Sequence, residues 1–397
     1  MNYSKLSIID LPDNTFKGKK VFLRVDFNVP VKDGKVIDDI RIRKTIPTIT
    51  YLLDRDGKLI VASHLGRPKG SRDPKYSLRP VAEKLSELLK RRVNFVDDCV
   101  GEKVEKAVRD LKEGELLLLE NLRFYEEEEK NDPEFSRKLA SMCDIYVNDA
   151  FATAHRAHAS TYGIAQHIEL RLAGILMKKE IDALTKVREN PEHPFVVLLG
   201  GAKVKDKVGL IEYLLPKADA FLIGGGMAYT FLYAMGKKIG KSLLEEDLVD
   251  KVKEYISTEK IILPEDHVIA DKVSAGANYR ADREIPDDMI GVDIGPITIQ
   301  RYASLIPDSG TLFWNGPLGV IEVDEFSKGS TEICRAIAYK TKHGLFSVIG
   351  GGDTLTILEK AKLDEDEFSH VSSGGGATLE YLAGIDLPGI KILNDKG

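Results

Sequence analysis

The sequence predicts an α/β fold made of two doubly wound parallel-sheet domains of similar size joined by a long helix. Apolar runs of strand length alternate with amphipathic stretches, and 397 residues are too many for one ordinary domain. The two halves also differ, because 15 of 19 arginines lie in residues 1–190 and 25 of 34 glycines lie after residue 190. Arginine makes bidentate contacts with carboxylate and phosphate, whereas glycine lets backbone amides approach a nucleotide. We therefore expect an anion-binding half, a nucleotide-binding half, and chemistry between them.

The first domain is predicted at residues 1–170, where strands alternate with helices such as those over Leu78–Lys90 and Lys103–Leu111. The predicted strands are Val21–Phe27, Leu59–Ala62, Val93–Val96, Leu116–Leu119 and Ile145–Val147. Strands connected by helices form a mostly parallel sheet that is covered by helices on both faces.

The second domain is predicted at residues 191–386, where the same alternation continues. Its predicted strands are Phe195–Leu199, Ala220–Ile223, Ile261–Leu263 with Val268–Ala270, Thr311–Trp314, Leu345–Ile349 and Ser369–Val371. Between the domains, apolar residues recur at helical spacing over Leu170–Glu189, and Asn190-Pro191 follows. This pattern predicts one long interdomain helix at residues 171–190.

Composition and charge exclude several classes of protein. A net charge of −6 and a pI near 5.9 argue against a general nucleic-acid binder. Cys99, Cys143 and Cys334 are widely spaced, which indicates buried thiols in a reducing compartment. Neither a signal peptide nor a membrane-spanning apolar run is present in the sequence. We expect a cytoplasmic monomer that binds neither nucleic acid nor a membrane.

Polar residues at the predicted strand ends carry the functional prediction, because ligands of open α/β sheets bind beyond the carboxyl ends of the strands. In the first half these ends read Arg24–Asn28, Ser63–Pro68, Glu120–Phe124 and Asn148–Phe151, followed by His155-Arg156-Ala157-His158. Arginines and histidines on one rim form a small cationic pocket that suits a compact ligand with carboxylate and phosphate groups.

The strand ends of the second half are rich in glycine, which suits a nucleotide and its phosphates. They read Gly200-Gly201, Gly224–Gly226, Asn315-Gly316-Pro317, Gly350–Thr354 and Gly374–Gly376. The first of them leads into Ala202-Lys203-Val204-Lys205-Asp206-Lys207, a lysine-rich predicted helix start that supplies cations to a polyphosphate.

Two other patterns favour structural readings. His155 and His158 lack a third ligand and the helical spacing of a zinc site, so no metal is assigned to them. The acidic run Glu126–Glu129 is interpreted as a solvated helix face or loop.

Nine strings in order resemble the phosphoglycerate kinase family over essentially the whole chain. They are RVDFNVP, SHLGRP, LLLENLRF, NDAFATAHRAHAS, LLGGAKVKDK, IGGGMAYTF, WNGPLGVIE, IGGGDT and SSGGGATLE. The resemblance implies reversible Mg-dependent transfer of the acyl phosphoryl group of 1,3-bisphosphoglycerate to ADP, which gives ATP and 3-phosphoglycerate. It also implies direct in-line transfer after domain closure, and a C-terminal tail, residues 387–397, that packs back on the first domain.

The resemblance assigns roles residue by residue. The phosphoglycerate-binding set is Asp26, Asn28, Arg41, His64, Leu65, Gly66, Arg67, Arg123 and Arg156. The nucleotide-binding set is Gly201, Ala202, Lys203, Lys207, Gly225, Gly226, Asn315, Glu322, Gly351, Gly352, Asp353 and Thr354, with Asp353 as the Mg²⁺ ligand and Glu322 at the ribose. Arg41, Lys203, Lys207, Gly375 and Gly376 are expected to stabilise the transferring group.

The chemistry of the transfer agrees with this inventory. Transfer from an acyl phosphate to ADP needs no strong general base, so catalysis is expected from alignment and cationic stabilisation. An open site would let water hydrolyse the reactants, so closure is expected only when both ligands are bound.

Three residues depart from the family pattern, and two other functions stay open. Ala152 stands where glycine is usual, Ile297 where lysine is common, and Ser330 where threonine is usual. The first alternative is an inactive nucleotide-binding scaffold, which the intact Arg41, Lys203, Lys207 and Asp353 argue against. The second alternative is another small-molecule kinase with a carboxylate acceptor.

Overall fold

The computed structural model describes residues 4–397, apart from the side chains of Thr354 and Leu355. The chain divides into two compact units, which are described separately below. Unit 1 comprises the chain up to Asp182 together with Asp386–Gly397, and unit 2 is Ala183–Ile385.

Unit 1 contains a six-stranded sheet in which every neighbouring pair is parallel, in the order β5-β6-β4-β1-β7-β8. Its strands and helices are β1 Lys20–Arg24, β2 Val31–Lys32, β3 Lys35–Val36, α1 Ile40–Leu53, β4 Lys58–Ala62, α2 Arg79–Leu89, β5 Val93–Phe95, α3 Glu102–Asp110, β6 Leu116–Leu118, α4 Glu126–Glu129, α5 Pro133–Ala140, β7 Ile145–Asn148, β8 Leu170–Ala173 and the first part of α6 Ile175–Glu189. The five predicted strands of this half are all present. Strands β2 and β3 form a separate hairpin.

Unit 2 repeats the architecture, with a second six-stranded parallel sheet in the order β11-β10-β9-β15-β16-β17. Its elements after α6 are β9 Phe195–Leu199, α7 Val208–Leu214, β10 Ala220–Ile223, α8 Ala228–Ala234, α9 Val249–Ile256, β11 Ile261–Ile262, β12 His267–Ala270, β13 Tyr279–Asp282, β14 Ile290–Ile294, α10 Pro296–Leu305, β15 Gly310–Asn315, α11 Lys328–Lys342, β16 Leu345–Gly350, α12 Thr354–Ala361, β17 His370–Ser372 and α13 Gly376–Leu382. A last helix, α14 Pro388–Lys391, lies in unit 1. The doubly wound α/β prediction is confirmed for both units.

Strand β12 corrects one prediction. The run Val268–Ala270 does form a strand, but it pairs antiparallel with β13 and β14 in a three-stranded sheet of its own. An apolar run of strand length does not indicate which strand it pairs with. The neighbouring strand β14 was also not predicted from the sequence.

The start of the interdomain helix is also corrected, because Leu170–Ala173 is strand β8 and α6 begins only at Ile175. One edge of β8 pairs with β7 in parallel. On the other edge, Ala173 N donates to Leu6 O over 2.9 Å and Asn394 N donates to Arg171 O over 3.0 Å. These partners are remote in sequence, so the helical spacing of the apolar residues was overridden by tertiary pairing. Helix α6 ends at Glu189, next to Asn190-Pro191 as predicted.

The C-terminal segment of unit 1 is held by apolar burial and by hydrogen bonds to the edge of the sheet. Leu387, Ile390 and Leu393 are all buried. Arg171 N donates to Asn394 Oδ1 over 2.7 Å, and Leu6 N donates to Asn394 O over 2.8 Å. The segment therefore completes the core of unit 1.

Replacing Leu393 by alanine is expected to destabilise unit 1 by about 2–5 kcal/mol, because the buried side chain leaves a cavity. The matched control is Lys391→Ala in the same segment, which is exposed and is expected to change the free energy of unfolding by less than about 0.5 kcal/mol. Urea unfolding of both variants measures the difference. Equal stability of the two variants would contradict a role of the segment in the core.

The three cysteines, Cys99, Cys143 and Cys334, are free and buried, as predicted. Within residues 4–397, we find no helix whose length and apolar composition would allow it to cross a membrane.

Candidate active site

A basic rim forms in unit 1 where the parallel strands end. Arg24 is the last residue of β1, and Asp26 and Asn28 follow it. His64 follows β4 on one side of β1, and Asn148 ends β7 on the other side. Because the strands are parallel, their carboxyl ends meet at one edge, where the sequence had placed the anion site.

Two short hydrogen-bond chains join the predicted phosphoglycerate-binding residues. Arg41, on α1, donates from Nη1 to Asp26 Oδ2 in an ion pair. Gly66 N donates to Asn28 Oδ1 over 2.8 Å, and Arg123 Nη1 donates to Gly66 O over 2.9 Å. Gly66 has a φ of +62°, and a Cβ there would meet the ring of Tyr76 at 2.4 Å, so only glycine fits.

The remaining predicted residues of this set differ in exposure. Leu65 is buried, and its backbone is held by Asn121. Arg67 and Arg156 are exposed, and Arg156 Nε donates to His155 Nε2 over 3.2 Å. Asn28 N donates to Asp26 Oδ1 over 3.2 Å and so links the two chains. Asp26, Asn28, Arg41, Gly66 and Arg123 are therefore joined by hydrogen bonds, whereas no such contact is found between Arg67 and these five residues.

Arg24 was not included in the predicted binding set, although it lies at the centre of the rim. It is 1% exposed. Its Nη2 lies 3.3 Å from His64 Nδ1, and its Nε donates to Ser160 Oγ over 2.8 Å. The position of Arg24 at a strand end indicated a site residue, but nothing in the sequence showed that it would be buried behind the site.

Both buried histidines of the rim are kept neutral. Burial first, and then the positive charges of Arg24, Arg123 and Arg41, hold the pKa of His64 well below its ordinary value. Burial and the charges of Arg24, Arg123 and Arg156 lower the pKa of His158 to about 3. A neutral imidazole has one N–H group, which can donate a hydrogen bond to an anion without transferring its proton near pH 7.

The free energy of unfolding should depend on pH through His158. The pKa of His158 is about 3 in the folded protein and 6.5 in the unfolded chain, so the unfolded chain binds the proton first as the pH falls. The free energy of unfolding is therefore highest above pH 6.5 and decreases as the pH falls toward 3. Relative to His158→Gln, the wild type is expected to lose at most about 2 kcal/mol between pH 7.5 and pH 5, and less where solvent screens the ring. Urea unfolding of both proteins measures this. The difference between them cancels other titrating groups, and a difference that does not change with pH would contradict the prediction.

The acidic run Glu126–Glu129 corrects a sequence interpretation. It forms the short helix α4, and Glu126, Glu127 and Glu129 are exposed, but Glu128 is completely buried. Ser160 donates to Glu128 from both its backbone N, over 2.9 Å, and its Oγ, over 2.6 Å. Four identical residues gave no sign of which carboxylate faces the core.

A cavity of about 300 Å³ opens at the glycine-rich strand ends of unit 2. It is lined by Gly201, Ala202, Lys203, Asp206, Lys207, Asn315, Gly316, Pro317, Gly351, Gly352, Asp353, Gly375, Gly376 and Leu379. Most of the predicted nucleotide-binding and transfer residues therefore line one cavity. Asp206, Gly316, Pro317 and Leu379 are additions that were not in the predicted set.

Four predicted nucleotide-binding residues are not among the lining residues. Gly225 supports the cavity wall from behind, since a Cβ there would lie 2.7 Å from Gly201 N and from Pro317 O. Gly226 lies beside Ala202, and Glu322 is exposed. Thr354 begins α12, and its side chain lies outside the described residues.

The two lysines at this cavity differ in environment. Lys203 is exposed, whereas Lys207 is buried and donates from Nζ to Asn315 Oδ1. Asn315 Nδ2 in turn donates to Gly350 O over 2.7 Å. Burial lowers the pKa of Lys207, and the charges of Asp206 and Asp353 act in the opposite direction. Lys203 precedes and Lys207 ends a 3₁₀ turn, Lys205–Lys207, so they lie before helix α7 instead of in its first turn.

Two exposed carboxylates, Asp206 and Asp353, line the cavity and are available for a metal ion. Asp353 is exposed and lies between β16 and α12. The described part of the chain has no cluster of three or more His, Cys, Asp or Glu side chains that could hold a metal. Mg²⁺ is commonly bound by one or two carboxylates together with substrate phosphates, and Asp353 fits that mode.

The three departures from the family pattern have ordinary structural settings. Ala152 lies in a 3₁₀ turn, Phe151–Thr153, and is not among the residues with positive φ, so it needs no glycine. Ser330 Oγ accepts a hydrogen bond from Leu318 N over 2.8 Å. Ile297 is partly exposed, and its N donates to Asp266 Oδ2 over 3.1 Å.

Comparison with known proteins identifies relatives along the whole chain. Residues 11–385 match the family model described as phosphoglycerate kinase. A phosphoglycerate kinase of Dictyoglomus turgidum is 50% identical over 400 residues, which cover 99% of this chain and 100% of that protein. A cytosolic phosphoglycerate kinase of Triticum aestivum is 49% identical over 400 residues, covering 99% of this chain and 98% of that protein. The solved structure of phosphoglycerate kinase from Coxiella burnetii superposes with a TM-score of 0.88 at 40% identity and covers 98% of each chain.

Proposed function

Because the chain belongs to the phosphoglycerate kinase family, we propose that the basic rim of unit 1 binds the phosphoglycerate and that the cavity of unit 2 binds the Mg²⁺ complex of ATP or ADP. The activity is the reversible transfer of the acyl phosphoryl group of 1,3-bisphosphoglycerate to ADP, which yields ATP and 3-phosphoglycerate. The observation that carries the proposed nucleotide site is one cavity lined by glycine backbone, two lysines and two exposed carboxylates, Asp206 and Asp353.

The acid site is supported by the charges of the rim. Arg41, Arg123 and Arg156 supply positive charge, and Asn28 orders the backbone of the loop at Gly66. In the direction of ATP consumption, a carboxylate oxygen of 3-phosphoglycerate forms a bond to the γ-phosphorus while the bond to the β-phosphate oxygen breaks. The nucleophile is already ionised, so no proton is transferred and no tuned base is required. The neutral His64 and His158 agree with this requirement.

The nucleotide site is supported by how the cations are held. Lys207 is directed by Asn315, and Lys203 is exposed at the same cavity. Both are proposed to stabilise the charge that spreads over the transferring oxygens, together with the backbone at Gly375 and Gly376. Bound Mg²⁺ would supply further stabilisation of phosphate charge, and Asp353 is the residue proposed to hold it.

The base of the nucleotide needs an apolar surface, which the structure offers at Leu243. This side chain is 57% exposed and adjoins Gly226, where a Cβ would lie 2.9 Å from Leu243 Cδ1. We propose that the adenine contacts Leu243 and that Gly226 is required for its close approach. Glu322 remains the proposed ribose contact.

Replacing Asp353 by asparagine should raise the Mg²⁺ concentration that gives half-maximal turnover by about 10-fold or more, because a charge-assisted contact is lost. The control is Asp366→Asn, an exposed aspartate that does not line the cavity. Turnover is followed while MgCl₂ is titrated at constant ATP. Identical Mg²⁺ dependence in the two variants would refute the assignment of Asp353.

The proposed sites are tested by a coupled assay that contains purified protein, Mg-ATP and 3-phosphoglycerate. The product 1,3-bisphosphoglycerate is reduced by a dehydrogenase, and the oxidation of NADH is recorded. Saturable dependence on 3-phosphoglycerate, and not on other small carboxylic acids, is expected. Ligand binding without turnover would instead support the inactive scaffold.

We also propose that the protein is a cytoplasmic monomer without nucleic-acid partners. The cytoplasmic location agrees with the cytosolic wheat relative.

A further inference from the structure

A buried carboxylate lies directly behind the basic rim of unit 1. Glu128 is 0% exposed, whereas the other three residues of the acidic run are exposed, and Glu129 Oε1 lies 3.3 Å from Arg123 Nε. The run itself follows Arg123, one of the proposed phosphoglycerate-binding residues. Burying a carboxylate costs free energy of folding unless hydrogen bonds and nearby positive charges stabilise it. We therefore expect such groups around Glu128.

Glu128 is connected to the rim through one serine and one arginine. Ser160 donates to both carboxylate oxygens, from N over 2.9 Å and from Oγ over 2.6 Å. The same Oγ accepts a hydrogen bond of 2.8 Å from Arg24 Nε. Arg24 also donates from Nη1 to Val25 O, and its Nη2 lies 3.3 Å from His64 Nδ1. All three nitrogens of the guanidinium are therefore engaged, and its orientation is fixed.

The charges around Glu128 agree with this chain of contacts. Burial raises its pKa, whereas Arg24, the two donors of Ser160 and Arg123 lower it. Arg24 is itself almost completely buried, so it does not reach a ligand on the rim directly. Besides the field of its charge, Arg24 can act on a bound ligand through its contact with His64.

The contact between Arg24 and His64 determines the tautomer of the histidine. An arginine has five N–H donors and no acceptor, so His64 Nδ1 is the accepting nitrogen in this contact. The Asp26 carboxylate also faces Nδ1, but its Oδ1 is 4.0 Å away, beyond hydrogen-bond distance. The proton of the neutral imidazole is then on Nε2, and Nε2–H remains a donor. A neutral donor directed at a phosphate or carboxylate binds an anion without changing its protonation during the reaction.

We propose that Glu128 is a positioning residue that acts through Ser160 and Arg24 to hold His64 as the Nε2–H tautomer, ready to donate to the bound phosphoglycerate. The inference rests on the proposed assignment of the basic rim as the phosphoglycerate site. Glu128 is fully buried, so it is not a ligand-binding or catalytic residue itself. Its contribution is to orient Arg24, and through Arg24 to fix the donor face of His64.

Two substitutions test this chain of contacts, the relay from Glu128 through Ser160 and Arg24 to His64, at separate points. Glu128→Gln keeps the shape of the side chain and removes its charge, and Ser160→Ala removes the hydroxyl between Glu128 and Arg24. Both are expected to raise the KM for 3-phosphoglycerate about 10-fold, because one oriented hydrogen bond to a charged ligand is weakened, and to leave the KM for ATP within about twofold. Glu127→Gln, the exposed neighbour, is the control and should match the wild type.

A spectroscopic measurement separates this role from general loosening of unit 1. In ¹⁵N-labelled protein, the side-chain nitrogen shifts of His64 should show the Nε2–H tautomer in the wild type and a mixture in Glu128→Gln and Ser160→Ala. His64→Asn identifies the signals. If Glu128→Gln fails to fold, Ser160→Ala carries the test.

Several results would overturn the relay. These are an Nδ1–H tautomer in the wild type, an unchanged KM for 3-phosphoglycerate in the folded variants, or equal rises in the KM values of both substrates. Absence of saturation by 3-phosphoglycerate in the wild type would instead defeat the proposed rim assignment.

Discussion

Alanine in place of Lys203 is expected to lower kcat by about 10²–10³-fold, which is the loss found when one preorganised electrostatic donor is removed. Lys203 is exposed at the cavity of unit 2, close in sequence to the buried Lys207. The transferring phosphoryl group carries its charge on three oxygens, and this reaction has no base or covalent intermediate that could compensate for a missing cation. The loss should therefore appear in kcat more than in the KM for ATP.

The matched control for this prediction is Lys205→Ala. Lys205 belongs to the same 3₁₀ turn and is exposed, but it does not line the cavity. Its replacement removes the same charge from the same segment and is expected to change kcat by less than about threefold. The coupled assay compares the two variants, with circular dichroism as the check of folding. A folded Lys203→Ala protein with the kcat of the wild type would eliminate the proposed role.

Arg41→Ala is the second substitution with a large expected effect, again about 10²–10³-fold in kcat. Arg41 is paired with Asp26 at the rim, so its removal takes away a cation and leaves a carboxylate without that partner. The uncompensated charge of Asp26 would repel an anionic substrate, and the KM for 3-phosphoglycerate should rise as well. The KM for ATP should change little, because ATP is assigned to unit 2.

Arg43→Ala provides the control for Arg41. Arg43 lies on the same helix, α1, two residues further on, and is exposed and paired with Asp39. Its ion pair is of the surface kind that contributes little to stability, so kcat and both KM values should stay close to those of the wild type. Steady-state kinetics with each substrate varied in turn measures the comparison. Similar losses in both variants would show that the effect is a general one of charge on helix α1.

The residues of the chain argue against the alternative that the protein is an inactive nucleotide-binding scaffold. Lys203, Lys207 and Asp353 line one cavity, Arg41 is held at the rim of unit 1, and the three family departures occupy unstrained positions. The two alanine variants give a direct test, since an inactive scaffold would show no turnover to lose.

Much of the site could be predicted because the signals are local. Glycines at successive strand ends and basic residues at others can be read along the chain, and a parallel sheet brings such ends to one edge. The lysine turn, Asn315 and Asp353 were predicted as site residues in this way, and they line one cavity. Asp26 and Arg41 were also predicted as site residues, but only the structure shows that they form an ion pair.

What the sequence could not predict depends on contacts between residues far apart in the chain. Leu170–Ala173 has the spacing of a helix, yet it became a strand because β7, Leu6 and Asn394 offer hydrogen-bond partners. Glu128 is one of four identical residues, and only the packing against Ser160 determines which carboxylate is buried.

The sequence by itself determined the fold class and the residue types of the two sites, because periodicity and strand-end chemistry are local properties. The family followed from the resemblance of nine motif strings in order. The tertiary structure alone decided which charges are buried, which nitrogen of His64 faces Arg24, and which strands share a sheet. These depend on desolvation and hydrogen-bond geometry, which arise only when distant segments pack together.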